Sequence, residues 1–186
     1  GTPAIGARFR AATTSLDASF TDPDGFWSVR YPKSWTRSKA GSEQQFLRDR
    51  GATVGFAVSV QIKTVSPVAL VDDVSALLRD RRDGYEDVDR GDAVIDGLPA
   101  AWVEHRYVLD GRRYAGMLVG VVRNRVGVLL VAWAPEDQLE SVQPLFTAFV
   151  DSLQVTRFDA SPDYATWTAK RSTHFIYRYL PGTYVA

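Results

Sequence analysis

Residues 97–153 read as strand, tight turn, strand, tight turn, strand and closing helix, and that order leaves few folds open. Leu98 to Leu109 alternates, with Ala101, Val103, His105 and Tyr107 on one face and Trp102, Glu104, Arg106 and Val108 on the other, the pattern of a strand at least partly covered on both sides. Asp110-Gly111 supplies the positive backbone angles of a two-residue hairpin turn, and an extended β-branched run follows over 113–122. After a second polar turn at Arg123-Asn124-Arg125, residues 126–134 are almost wholly apolar, as a central strand buried on both faces requires. Pro135, Glu136 and Asp137 then open a helical segment with apolar residues at Leu139, Val142, Phe146, Phe149 and Leu153. Pro144 is expected to divide it into a short turn and a longer helix, because proline removes an intrahelical donor.

The upstream chain adds strands and one well-marked helix. Asp22-Pro23-Asp24-Gly25 is a turn, and 26–31 alternates after it as a first strand that ends at Pro32. A second strand is expected at 44–48. Residues 54–62 form the cleanest period-two run, with Val54, Phe56, Val58, Val60 and Ile62 on one apolar face. Ser66-Pro67 pairs a helix cap with proline at the first helical position, while Arg79, Arg81 and Arg82 cluster at the other end where the helix dipole favours cations. Leu70, Val71, Val74, Leu77 and Leu78 are its expected buried stripe, and a short strand follows at 88–95.

Composition narrows the functional classes. With 186 residues, 45% hydrophobic and 24% charged, the chain suits one well-buried domain with an appendage. Lys+Arg and Asp+Glu are balanced at 22 each, so no global field draws nucleic acid, and a nucleic-acid partner is not expected. The absence of cysteine removes disulfides, thiol catalysis and thiolate metal sites. No apolar run is long enough to span a membrane, and attachment is expected only through an anchor outside this sequence. The small, polar run over 2–19 reads as a tether.

Gly25-Phe26 to Tyr31-Pro32 with Trp35, the capped helix, Asp96-Gly97-Leu98-Pro99-Ala100, and late strands entering a helix that ends Phe149-Val150-Asp151-Ser152-Leu153 together resemble the PsbP-like family. The resemblance implies an α+β fold, an antiparallel β-sheet flanked by helices in an α/β/α sandwich. It divides the chain into a tether at 1–18, the domain at 19–155, and a linker with a strand-like tail at 156–186. It also implies a non-catalytic, extracytoplasmic interaction module, secreted or membrane-anchored, whose partner is another protein. Nothing here matches the ion-retention segments of photosystem II extrinsic subunits. In the tail, Ser172-Thr173-His174-Phe175-Ile176-Tyr177-Arg178-Tyr179 resembles the opening strand of gluzincin-type peptidase domains. Their His-Glu-x-x-His helix is absent, so the catalytic part of such a peptidase would lie beyond Ala186.

Catalytic chemistry finds no support in the residue pattern. His105 and His174 are too few for a histidine-rich zinc centre, and no metal or cofactor is expected. Glu104 and His105 are adjacent on a strand and point to opposite faces, so they cannot form one acid–base unit. Nucleophile turns, phosphate loops and dinucleotide fingerprints are missing. Trp35, Tyr107, Arg112, Arg113 and Tyr114 are the candidate binding residues, since aromatics and arginines are favoured at contact hot spots. A carrier of a small hydrophobic ligand, with an aromatic pocket between sheet and helix, is the second reading.

Overall fold

Three tight turns organise the main sheet. Asp96-Gly97, Asp110-Gly111 and Asn124-Arg125 all have positive φ at both central positions, the backbone that matches the twist of a two-residue hairpin. They join β6 (Asp83–Ile95), β7 (Leu98–Leu109), β8 (Arg112–Arg123) and β9 (Val126–Pro135) into a continuous meander. The computed structural model describes residues 15–62 and 66–156 and the strands at 168–171 and 176–179.

On the other side of β9 the sheet continues through β5 (Gly55–Ile62), β4 (Glu43–Leu47) and β3 (Thr36–Ala40), giving seven strands in the order β3-β4-β5-β9-β8-β7-β6, every neighbouring pair antiparallel. A smaller antiparallel sheet joins β1 (Ala18–Thr21), β2 (Trp27–Tyr31) and β10 (Gln154–Val155) in the order β1-β2-β10. Helix α2 (Leu139–Asp151) follows a 3-10 turn at Glu136–Gln138. This is the expected α+β architecture with an antiparallel sheet and two helices.

The two faces of the main sheet are covered differently. One carries the principal core, where Phe56 of β5 stacks on Phe149 of α2 at 3.6 Å between ring centres and Phe46 of β4 meets Phe149 at 5.8 Å. Trp27, Val29 and Tyr31 of the small sheet join the same cluster. The opposite face carries α1 (Pro67–Arg81), which packs Val71 against Ala101, Val103 and Leu118. Ser66 caps α1 by accepting a hydrogen bond from Ala69 N at 3.1 Å. Gly120 of β8 lets the helix approach, since a Cβ there would lie 3.1 Å from Leu70 and 3.2 Å from the Pro67 carbonyl.

Several elements differ from the sequence reading. Leu16 is buried and Asp17 Oδ1 accepts a hydrogen bond from Lys33 N, so the end of the stretch read as a tether packs on the domain and continues into β1. β3 carries no apolar period because all five of its residues are exposed at the sheet edge. β6 spans 13 residues, with irregular pairing near Glu86 and Asp89. Helix α2 runs through Pro144. The bond lost there is to the Glu140 carbonyl, in the first turn on an exposed residue where water can satisfy it. Leu77 is 45% exposed, and Ser75 takes the buried position on α1 instead. In the tail, β11 (Thr168–Arg171) and β12 (Ile176–Tyr179) pair antiparallel. Ser172 to Phe175, half of the peptidase-like run, and residues 1–14 of the expected tether lie outside the described residues.

Candidate functional site

Helix α1 is narrower than the sheet face it covers. It lies over β6, β7 and β8, and beside it the face opens into a groove of about 450 Å³ that reaches across β9 and β5 to β4. Strand alternation decides what lines it: Gln45, Ser59, Leu129, Val131, Trp133, Tyr114, Tyr107 and His105 all point to the α1 side, and Val74, Leu77, Leu78 and Arg82 face them from the helix. The volume falls within the range of small-molecule pockets.

Two glycines let aromatic rings lie flat along this face. Gly55, Trp133, Gly116 and His105 form one row across β5, β9, β8 and β7. A Cβ on Gly55 would lie 2.6 Å from the Trp133 ring, and one on Gly116 would lie 2.8 Å from His105 Nε2. Trp133 is fixed by donating from Nε1 to the Ala52 carbonyl at 2.8 Å. On the β7 side the rings form a stack: Tyr85 to His105 at 5.5 Å, His105 to Tyr107 at 5.8 Å, and Tyr107 to Tyr114 at 5.4 Å with planes 11° apart.

Burial sets the protonation of this stack. His105 is 2% exposed, and loss of hydration pulls its imidazole down to about 4, against the opposing pull of Asp87 and of the Val103 carbonyl. It is therefore neutral at physiological pH. The phenols of Tyr85 and Tyr107 are pushed up to about 12, chiefly by burial. His105 Nδ1, Tyr85 Oη and Ser75 Oγ are buried without hydrogen-bond partners; Ser75 lies near enough to Tyr85 to oppose its shift but outside hydrogen-bonding geometry. Among the described residues no carboxylate is bonded to His105 to make it a general base. Among the described residues, no group of three His, Asp or Glu side chains is placed to hold a metal.

The cations along α1 are unequally committed. Arg79 pairs with Asp87 at 3.2 Å and sits 5.5 Å over the Tyr85 ring. Arg82 sits 5.6 Å over the Tyr107 ring and has no carboxylate partner among the described residues. It lines the groove, half-buried, at the C-terminal cap of the helix.

The structure brings together two of the five residues singled out from sequence. Tyr107 and Tyr114 stack in the groove. Trp35 is on the other side of the sheet, 8% exposed and stacked on Phe56 at 4.6 Å. Arg112 and Arg113 lie beyond the groove and are paired, Arg112 with Asp137 at 3.0 Å and Arg113 with Glu136 at 2.8 Å. Arg82, Trp133 and Leu77, which line the groove, are not among the five.

No protein-family model and no curated protein sequence matches the chain. Solved structures do. The cyanobacterial PsbP protein CyanoP from Synechocystis covers 81% of this chain and 99% of its own length, at 14% identity and a TM-score of 0.59. This chain has the PsbP-like fold. The Saccharomyces cerevisiae Ran-binding protein Mog1p covers 74% of this chain and 94% of its own, at 11% identity and a TM-score of 0.56. LpqN of Mycobacterium tuberculosis, described as involved in cell envelope biogenesis, covers 75% of this chain and 90% of its own, at 13% identity and a TM-score of 0.55. At such identities the likeness is one of fold. The groove is a feature of this chain's own residues on the PsbP-like frame.

Proposed function

We propose that this chain is a non-catalytic binding domain, working outside the cytoplasm, that takes a small apolar-bodied ligand in the groove beside α1. The observation that carries the reading is the groove itself: about 450 Å³ walled by Trp133, Tyr114, Tyr107, Leu129 and Val131. A pocket of that size with a mainly apolar lining and few polar groups suits binding through burial, with orientation supplied by the polar minority. The neutral, unsupported His105 agrees with binding rather than catalysis. The envelope role given for LpqN is in keeping with an extracytoplasmic setting.

The test is titration with the fluorescent apolar probe N-phenyl-1-naphthylamine, in the wild-type chain and in Leu77→Trp. Leu77 is half-exposed on the groove wall, so a larger ring there fills space without disturbing the core. Saturable binding that Leu77→Trp weakens severalfold supports the reading; binding unaffected by the substitution, or none, overturns it.

A second reading is a protein-interaction module. It is favoured by β3, whose five residues are all exposed and which is the edge of the sheet among the described residues, a place where a partner strand can add. Mog1p, on the same fold, is described as Ran-binding. Crosslinks that concentrate on β3 and spare the groove would favour it.

A further inference from the structure

We propose that the groove's ligand is an amphipathic carboxylic acid in its anionic form, held with its head at Arg82 and its apolar body along the Tyr107, Tyr114 and Trp133 wall. This deepens the binding reading above and rests on it. Arg79 and Arg82 lie one turn apart and each covers a tyrosine ring, but only Arg79 has a carboxylate partner among the described residues. Arg82 is half-buried and lines the groove, and with no carboxylate on it among the described residues its fork can take a ligand carboxylate bidentately. Seated over Tyr107, it is already oriented, so little freedom is lost when it binds.

The other end of the groove has the opposite sign. Glu43 lines it from β4, four strand steps from β7 in the sheet order, or about 19 Å at ~4.8 Å per step. Glu43 accepts a hydrogen bond from Gln45 Nε2 at 2.8 Å, and no cation pairs with it among the described residues. A ligand with one negative end is attracted at Arg82 and repelled at Glu43, so the groove fixes its direction. Between the two ends the wall is mainly aromatic and aliphatic, from Tyr107, Tyr114, Trp133, Leu129 and Val131, with Gln45, Ser59 and Gln61 as its polar minority toward β4 and β5. A neutral apolar ligand would leave Arg82 desolvated and unpaired, a cost that a carboxylate head removes.

The experiment compares displacement of bound N-phenyl-1-naphthylamine by decanoate and by 1-decanol, which share an apolar body and differ in charge. In the wild-type chain, decanoate is expected to compete at about tenfold lower concentration, the effect of one charge-assisted hydrogen-bonded pair, and added salt is expected to narrow the gap. In Arg82→Gln the ratio between the two competitors should fall to about one, and in Arg82→Lys, which keeps the charge but loses the fork, to an intermediate value. Thermal melts identify any variant that fails to fold, and the Arg82→Lys ratio then decides. Equal competition by the two in the wild-type chain, or a decanoate advantage that survives in both variants, overturns the proposal while leaving the groove a binding site. Failure of the probe itself to bind overturns both.

Discussion

Gly116 lies directly beneath the imidazole of His105. The two residues face each other across β8 and β7, and a Cβ on Gly116 would lie 2.8 Å from Nε2 and meet the Ala132 carbonyl oxygen as well. Backbone on one side does not yield, so the added methyl must push the buried imidazole out of its place. Gly116→Ala should therefore destabilise the fold by about 2 kcal/mol or more, read as a lower midpoint in urea. It should also weaken probe binding, because the displaced imidazole moves toward Tyr107.

His105 makes stability depend on pH in a defined direction. The unfolded chain protonates this group near its ordinary 6.5, whereas the folded chain resists until about 4. The contribution is complete above pH 6.5 and is lost as pH falls through the window down to 4, about 3 kcal/mol in all. The neighbours that face the ring are Asp87 across the β6 pair, Tyr85 and Tyr107 on either side, and Arg79 and Arg82 of α1 over those tyrosines. The comparison is with His105→Phe, which removes this one group. The difference in urea stability between the two chains should fall steadily from pH 6.5 to 4.

Trp35 separates stability from binding. It is stacked on Phe56 within the principal core, away from the groove. Trp35→Ala should cost about 3–5 kcal/mol, while the folded fraction keeps its affinity for the apolar probe. A loss of affinity greater than the loss of folded protein would place Trp35 in the site after all.

The arginines around the β7–β8 turn should matter little to either property. Glu136 is held by Arg106 at 3.2 Å and Arg113 at 2.8 Å, and Asp137 by Arg112 at 3.0 Å, all partly exposed. Such pairs are screened and contribute at most about 1 kcal/mol. Arg113→Ala is expected to shift the thermal midpoint by only a few degrees in low salt, and less in high salt.

How far the sequence was legible follows from where the decisive interactions are. Asp110-Gly111 and Ser66-Pro67 specify their turn and cap locally, and the alternation of Ala101, Val103, His105 and Tyr107 named the face that α1 now covers. β3 could not be read, because an edge strand with Arg37, Ser38 and Lys39 exposed has no apolar face to mark it. β1 hid in a polar run because only Ala18 and Phe20 of the strand, with Leu16 just before it, touch the core. The continuity of α2 through Pro144 depends on solvent at Glu140, not on the proline. The groove is the least local feature. Its wall comes from β4, β5, β7, β8, β9 and α1, and its existence depends on how much of the sheet one helix fails to cover. Tyr107 and Tyr114 were visible as aromatics, but no spacing in the chain connects Arg82 with Trp133.

The most direct test of the groove as the binding site is the nitrogen–proton correlation spectrum during titration with N-phenyl-1-naphthylamine. The indole N–H of Trp133 is held against Ala52 in the groove wall, while those of Trp27 and Trp35 belong to the opposite core. The account predicts that the Trp133 indole signal and the backbone signals of Leu77, Tyr107 and Tyr114 shift together and saturate, with Trp27 and Trp35 unmoved. Shifts confined to the α2 side of the sheet, or a spectrum unchanged by the probe, would contradict it.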